Sequence, residues 1–115
     1  MGIDEPPIDP ETFLEDVELR VGEITSAEPF PEARKDLYKL TVDFGETTLR
    51  SAAGLTDNYD PEDLLGKQVV AAVNLGRVRI AGFDSECLVT GVDDEAGNVV
   101  HLTVDRAVPN GRRVY

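Results

Sequence analysis

From Leu37 to Phe44 the residues Tyr38, Leu40, Val42 and Phe44 alternate with Lys39, Thr41 and Asp43, the period-two pattern of a strand with one buried face. A longer stretch precedes it. From Val17 to Glu28, Val17, Leu19 and Val21 alternate with Glu18, Arg20 and Gly22, and the phase slips at Gly22-Glu23 before Ile24. That slip predicts a bulge or strong bend at Gly22-Glu23, which lets one long strand serve both ends of a small barrel. After a Gly45-Glu46 hairpin turn, Thr47 to Ala53 forms a third strand with Arg50 in its middle. It ends in Ser51, Ala52, Ala53 and Gly54, small residues that suggest a surface something approaches closely. Gln68 to Leu75 is nearly unbroken apolar sequence, a strand buried on both faces. Glu86 to Val92 and Val99 to Val104 supply the last strands.

Two short helices interrupt the strands. Asp9-Pro10-Glu11 starts one over Pro10–Asp16, with Asp9 as cap and proline at the first helical position. It is too short to persist without docking on something. Asp60-Pro61-Glu62-Asp63-Leu64-Leu65-Gly66 reads as one or two turns ended by glycine. Met1 to Pro10 reads as a loose arm, and Pro109-Asn110-Gly111 as a turn in the tail. Five or six strands, with a helix between the third and fourth, fit an all-β, partly open Greek-key barrel, with a sandwich as the alternative.

The length of 115 residues suits one domain over 1–115, with an arm and helix at 1–16 and a tail at 105–115. No apolar run is long enough to span a membrane, and the acidic, proline-rich start does not read as a signal peptide. One cysteine permits no intrachain disulfide and, with a single histidine, no zinc cluster, so a reducing cytoplasmic location is expected. The formal charge is −12, from 23 acids and 11 bases. Acids gathered in one block would suggest a surface for basic partners. These are spread over strands, turns and both ends, which favours a halophilic protein working where salt screens its self-repulsion, over roughly 3 Å at molar salt.

No catalytic constellation can be assembled, and the phosphate-binding glycine fingerprints of ATPases and dehydrogenases are missing, so neither enzyme activity nor a cofactor is expected. His101 reads as a surface or edge residue, Cys87 as a small buried hydrophobe, and Asp93-Asp94-Glu95 as a solvated turn without calcium-loop spacing. The stretch that stands out is Val73 to Val89. It carries Asn74, then Arg77 and Arg79 one residue apart, turns at Gly82, and presents Ser85 and Glu86 before Cys87-Leu88-Val89. On a strand the two arginines share a face. They suit phosphate oxygens or a base edge, and pairing with neighbouring acids is an equal alternative. Arg34, Lys35, Lys39 and Arg50 could extend the same positive track, though each alone reads as a solvated charge. Asn74 and Ser85 could read a base edge or satisfy the turn's own backbone.

These blocks occur in a familiar order: V-G-E-I, A-E-x-F-P-E-A-R-K, L-x-V-D-F-G, Y-x-P-E-D-L-x-G-K-Q-V-V, V-N-L-x-x-x-R-I-A-G-F-x-S-E and V-P-N-G. Together they resemble the stand-alone tRNA-binding domain family, a module also appended to methionyl-tRNA synthetases and to phenylalanyl-tRNA synthetase β chains. The spelling V-N-x-x-x-x-R-I-A-G-F-x-S-E with the short V-P-N-G tail looks most like the CsaA branch of secretion chaperones. The resemblance runs from about Phe13 to Val114 and implies a five-stranded OB-fold. It implies tRNA or other structured RNA as ligand, bound around Arg34, Lys35, Arg50, Asn74, Arg77, Arg79, Ser85 and Leu88, the last standing where many relatives have methionine. It also implies a homodimer built on Phe13, Leu14, Val108, Pro109 and Val114. For CsaA-like proteins it implies binding of unfolded preproteins bound for export. Gly76 departs from the family, replacing a proline common before the arginines, and so does the net acidity.

Overall fold

The computed structural model describes residues 3–115; of the arm at Met1 to Pro10, Met1 and Gly2 lie outside the described residues. Helix α1 (Pro10–Asp16) is followed by strands β1 (Leu19–Pro29), β2 (Tyr38–Asp43) and β3 (Thr48–Ala53). Helix α2 (Pro61–Leu64) leads into β4 (Gln68–Ala72), β5 (Val78–Ile80), β6 (Phe83–Ser85), β7 (Leu88–Val89), β8 (Gly91–Asp93) and β9 (Val99–His101). Five strands pair in the order β3-β2-β1-β4-β7, every pair antiparallel. β5 with β6 and β8 with β9 form two hairpins attached to that sheet.

Alternation places the core as expected on β2, where Tyr38, Leu40, Val42 and, just beyond, Phe44 are buried. They meet Ile24, Val69, Ala71 and Leu64, the last a fully buried plug supplied by α2. The plug is held in place because Ile24 exchanges backbone hydrogen bonds with the helix end: Ile24 N donates to the Lys67 carbonyl and Gly66 N donates to that of Ile24. β1 does serve two partners, pairing with β4 over Leu19–Glu23 and with β2 over Glu23–Pro29. The irregularity lies at Thr25, between Ile24 and Ser26, and not at Gly22-Glu23. Gly22 has another task. A Cβ there would sit 2.6 Å from Val42 Cγ1 and 2.7 Å from the Phe44 ring, so glycine lets those side chains cross β1.

Other boundaries also moved. β4 ends at Ala72, three residues before the apolar run does. The fifth strand is broken at Thr90 into β7 and β8, and the last strand stops at His101. Asp9 starts α1 through its carbonyl, which accepts from Thr12 N and Phe13 N, with no hydrogen bond from its side chain.

The sheet closes into a barrel between β3 and residues 85–87, largely through side chains. Ala52 N donates to Ser85 Oγ (3.0 Å), Arg50 N donates to Glu86 Oε1 (3.0 Å), and Ser51 Oγ donates to the Cys87 carbonyl (2.9 Å). The small residues at the end of β3 therefore accommodate the chain's own 85–87 segment. The C-terminal tail lies along the half of β1 that β2 does not reach: Val21 N donates to Arg112 O, and Gly111 N to Val21 O. The result is a five-stranded, nearly closed OB-type barrel. Among the described residues no helix is long and apolar enough to cross a membrane.

Candidate nucleic-acid interface

Beyond β4 the chain makes a detour, and Asn74 anchors its start. The Asn74 amide donates to the Asp16 carbonyl and accepts from Glu18 N, both at 3.0 Å, while Val73 N donates to Glu18 O. The Asn74 side chain thus ties the α1–β1 junction to the end of β4, and its polar atoms are engaged by backbone. The detour then folds into the β5–β6 hairpin. Its two-residue turn, Ala81 (φ 46) and Gly82 (φ 82), has positive φ at both positions, the geometry that matches strand twist. The register sets Val78 opposite Ser85, Arg79 opposite Asp84 and Ile80 opposite Phe83.

Arg77 and Arg79 do share a face, and both meet Asp84. Arg79 Nη1 lies 2.9 Å from Asp84 Oδ1 and Arg77 Nη1 lies 3.6 Å from Oδ2. The two arginine side chains are each 68% exposed and that of Asp84 is 19% exposed. Of the two roles weighed for this pair, ion pairing is present in the free protein, and both guanidiniums keep most of their surface open to solvent.

The hairpin carries Phe83 back to the barrel, where it packs edge-on against Phe30 with ring centroids 5.5 Å apart. Two cations border these rings: the Arg50 guanidinium is 4.8 Å from the Phe83 centroid, and Lys39 Nζ is 5.3 Å from that of Phe30. Lys39 and Arg50 project outward because they alternate with the buried Leu40 and Ser51. Arg34 and Lys35, on the loop between β1 and β2, join Ala33, Leu37, Ile80 and Ala81 around an open groove of about 430 Å³. The β2–β3 face is therefore flanked by the β1–β2 loop and by the β4–β7 detour, the place where OB barrels bind oligonucleotides.

Of the residues singled out in the sequence, Arg34, Lys35, Arg50, Arg77 and Arg79 gather on this loop, strand and hairpin surface. Ser85 and Asn74 serve the scaffold with their hydrogen bonds, and Leu88 sits exposed on β7 opposite Ala72. Sequence reasoning missed the pairing of Phe30 with Phe83 and the role of Asp84. Each phenylalanine lies in a motif block that had been recognised. The two-residue Ala81-Gly82 turn was the signal that could have set Asp84 opposite Arg79.

Charge is distributed unevenly. Arg34, Lys35, Lys39, Arg50, Arg77 and Arg79 stand among Glu28, Glu32, Asp36, Asp57, Asp84 and Glu86, six cations with six acids, formally neutral. The remaining five cations and seventeen acids give the rest of the chain −12.

The other candidate groups are structural. Cys87 is buried, and burial above all pushes its thiol up to about 11, with Ser51 opposing and Glu86 adding. His101, read as a surface or edge residue, lies on β9, an edge strand paired only with β8, and is buried there against Tyr59 (centroids 5.1 Å apart). Asp94 closes its turn by accepting from Ala96 N, Asn98 N and Asn58 Nδ2. The Asn98 backbone contact is the chief cause of its lowered carboxyl pKa. Among the described residues no group of His, Cys, Asp or Glu side chains is placed to hold a metal ion.

Residues 19–113 match the family profile described as "Putative tRNA binding domain". The chain belongs to the tRNA-binding domain family. It is 40% identical over 103 residues to the methionine–tRNA ligase of Methanocaldococcus jannaschii, covering 90% of this chain but only 16% of that enzyme. Among solved structures it resembles the chaperone CsaA of Bacillus anthracis, with TM-score 0.87, 45% identity, and 96% of this chain and 100% of that one covered. It also resembles a methionyl-tRNA-synthetase-related protein of Pyrococcus horikoshii, with TM-score 0.84, 32% identity and coverage of 96% and 100%.

Proposed function

We propose that this family member is a non-catalytic tRNA-binding protein that holds structured RNA on the β2–β3 face. The observation that carries the reading is the Phe30–Phe83 pair bordered by Lys39 and Arg50, set between the loop of Arg34 and Lys35 and the hairpin of Arg77 and Arg79. The partly exposed Phe83 ring, backed by the buried Phe30, and the guanidiniums offer unpaired bases a stacking surface, and flanking cations take phosphates. The near-neutral face makes the electrostatic share small, so stacking and shape carry more of the affinity, as suits a cytoplasm of high salt.

The working unit in this proposal is a homodimer. No residue of α1 is buried, Leu14 is 38% exposed, and the Arg113 guanidinium donates to the carbonyls of Leu14 and Val17. The tail next to Val114 thus meets the helix and leaves Leu14 to be covered, whereas Val108, and Pro109 after it, lie by Gln68 at the start of β4. The second reading is an export chaperone that binds unfolded preproteins. It is favoured by the apolar groove between Leu37 and Ile80 and by the likeness to CsaA.

Fluorescence anisotropy of labelled tRNA, titrated from low to molar KCl, tests the first reading. Arg77→Ala with Arg79→Ala should weaken binding about tenfold or more and flatten its salt dependence. Unchanged binding in that variant removes these arginines from the site. Absence of wild-type binding at any salt, together with stoichiometric suppression of client aggregation without ATP, moves the function to the chaperone.

A further inference from the structure

The hairpin contains an anion site that the protein itself occupies. The Ala81-Gly82 turn fixes the register, so Arg79 and Asp84 face each other across the strands, and Arg77, two residues before Arg79, shares their side of the hairpin. One carboxylate oxygen meets Arg79 at 2.9 Å and the other meets Arg77 at 3.6 Å. Among the described residues this is the one acid that bridges two cations; Glu28 and Glu86 each meet a single one. The acid is the covered partner and the guanidiniums are the exposed ones, at 19% against 68%. A carboxylate held between two guanidiniums presents them with charge and paired acceptor oxygens much as the two non-bridging oxygens of a phosphodiester do.

We propose that Asp84 is an internal stand-in for a ligand phosphate: it keeps Arg77 and Arg79 side by side, and a phosphodiester must take the two guanidiniums from it. Asp84 is then a specificity-determining residue. It lowers affinity for any polyanion, so a ligand must add contacts on the flanking aromatic surface to be held. It also reduces the net phosphate charge that the arginines neutralise, which makes binding less dependent on salt. That the ligand is RNA rests on the reading above; that Asp84 competes with anions at Arg77 and Arg79 does not.

The test compares wild type, Asp84→Asn, Arg77→Ala/Arg79→Ala and the triple variant on two probes, labelled tRNA and immobilised heparin. Asp84→Asn keeps the side-chain shape and removes the charge. Its tRNA affinity at low salt should rise about fivefold, the scale of one exposed ion pair. Its log–log salt slope should steepen by about 0.7–0.9, and the two curves should converge toward molar KCl. Heparin should release it at higher salt than wild type, and both gains should vanish in the triple variant. Should Asp84→Asn melt below the assay temperature, Asp84→Ser takes its place. Equal or weaker binding to heparin than wild type, or a gain that persists without the two arginines, overturns the proposal. A gain on heparin with no tRNA binding by any variant leaves the internal anion in place and rejects the RNA reading.

Discussion

Ser85 and Glu86 do with side chains what a neighbouring strand would do with its backbone. β3 has β2 on one edge; on the other, Ala52 N and Arg50 N are met by the Ser85 hydroxyl and the Glu86 carboxylate. Removing such an acceptor leaves a part-buried N–H without a partner, which costs about 1–3 kcal/mol. Ser85→Ala is therefore expected to lower stability by that amount in urea unfolding while the folded protein's tRNA affinity stays within twofold of wild type, a ratio of about 0.4 kcal/mol. Lost RNA affinity at unchanged stability would instead make Ser85 a reader of RNA. The sequence showed a polar pair in a motif but not this division of labour. The groups that Ser85 and Glu86 satisfy lie 33 and 36 residues away, and nothing local announces which backbone N–H will need an acceptor. Arg77 and Arg79 were easier: their spacing alone put them on one face, and only the acid between them was missed.

Elements were legible where the signal was local. The alternation of β2, the proline starts of both helices and the apolar run of β4 all follow from neighbours within a few residues. The errors arose where one element answers to two others. Gly22 looked like the bulge because it broke the apolar phase, whereas the register shift falls at Thr25, close to where β1 exchanges β4 for β2. What Gly22 provides is room for Val42 and Phe44, core side chains from β2 and its end. Gly22→Ala would press a methyl group into both, and overpacking of this kind costs typically about 1–3 kcal/mol. The variant should unfold at correspondingly lower denaturant. Trimming the neighbour with Val42→Ala in the same chain should recover part of the Gly22→Ala loss relative to Val42→Ala alone. Independent, additive losses would mean that the glycine is needed for its backbone freedom and not for the space.

At the scale of the whole molecule the fold, the charge and the proposed dimer are linked. With −12 outside the proposed RNA face, two copies brought together through α1 and the tail repel each other, and the repulsion is screened over about 10 Å at 0.1 M salt and about 3 Å at 1 M. Dimerisation and RNA binding should then respond to KCl in opposite directions. Apolar burial of Phe13 and Leu14 gains as repulsion is screened, whereas phosphate contacts weaken, though shallowly because the proposed RNA face is formally neutral. Sedimentation equilibrium at low and at molar KCl is the measurement. The weight-average mass should move from the 12.5 kDa of one chain toward twice that value as salt rises. Leu14→Glu should hold it at one chain in both, by placing a new charge on the surface to be covered. A mass that does not change with salt and ignores Leu14→Glu would locate the interface, if any, away from α1. In that case the dispersed acids serve solubility alone, and the tail acts only as the cover of β1 within its own chain.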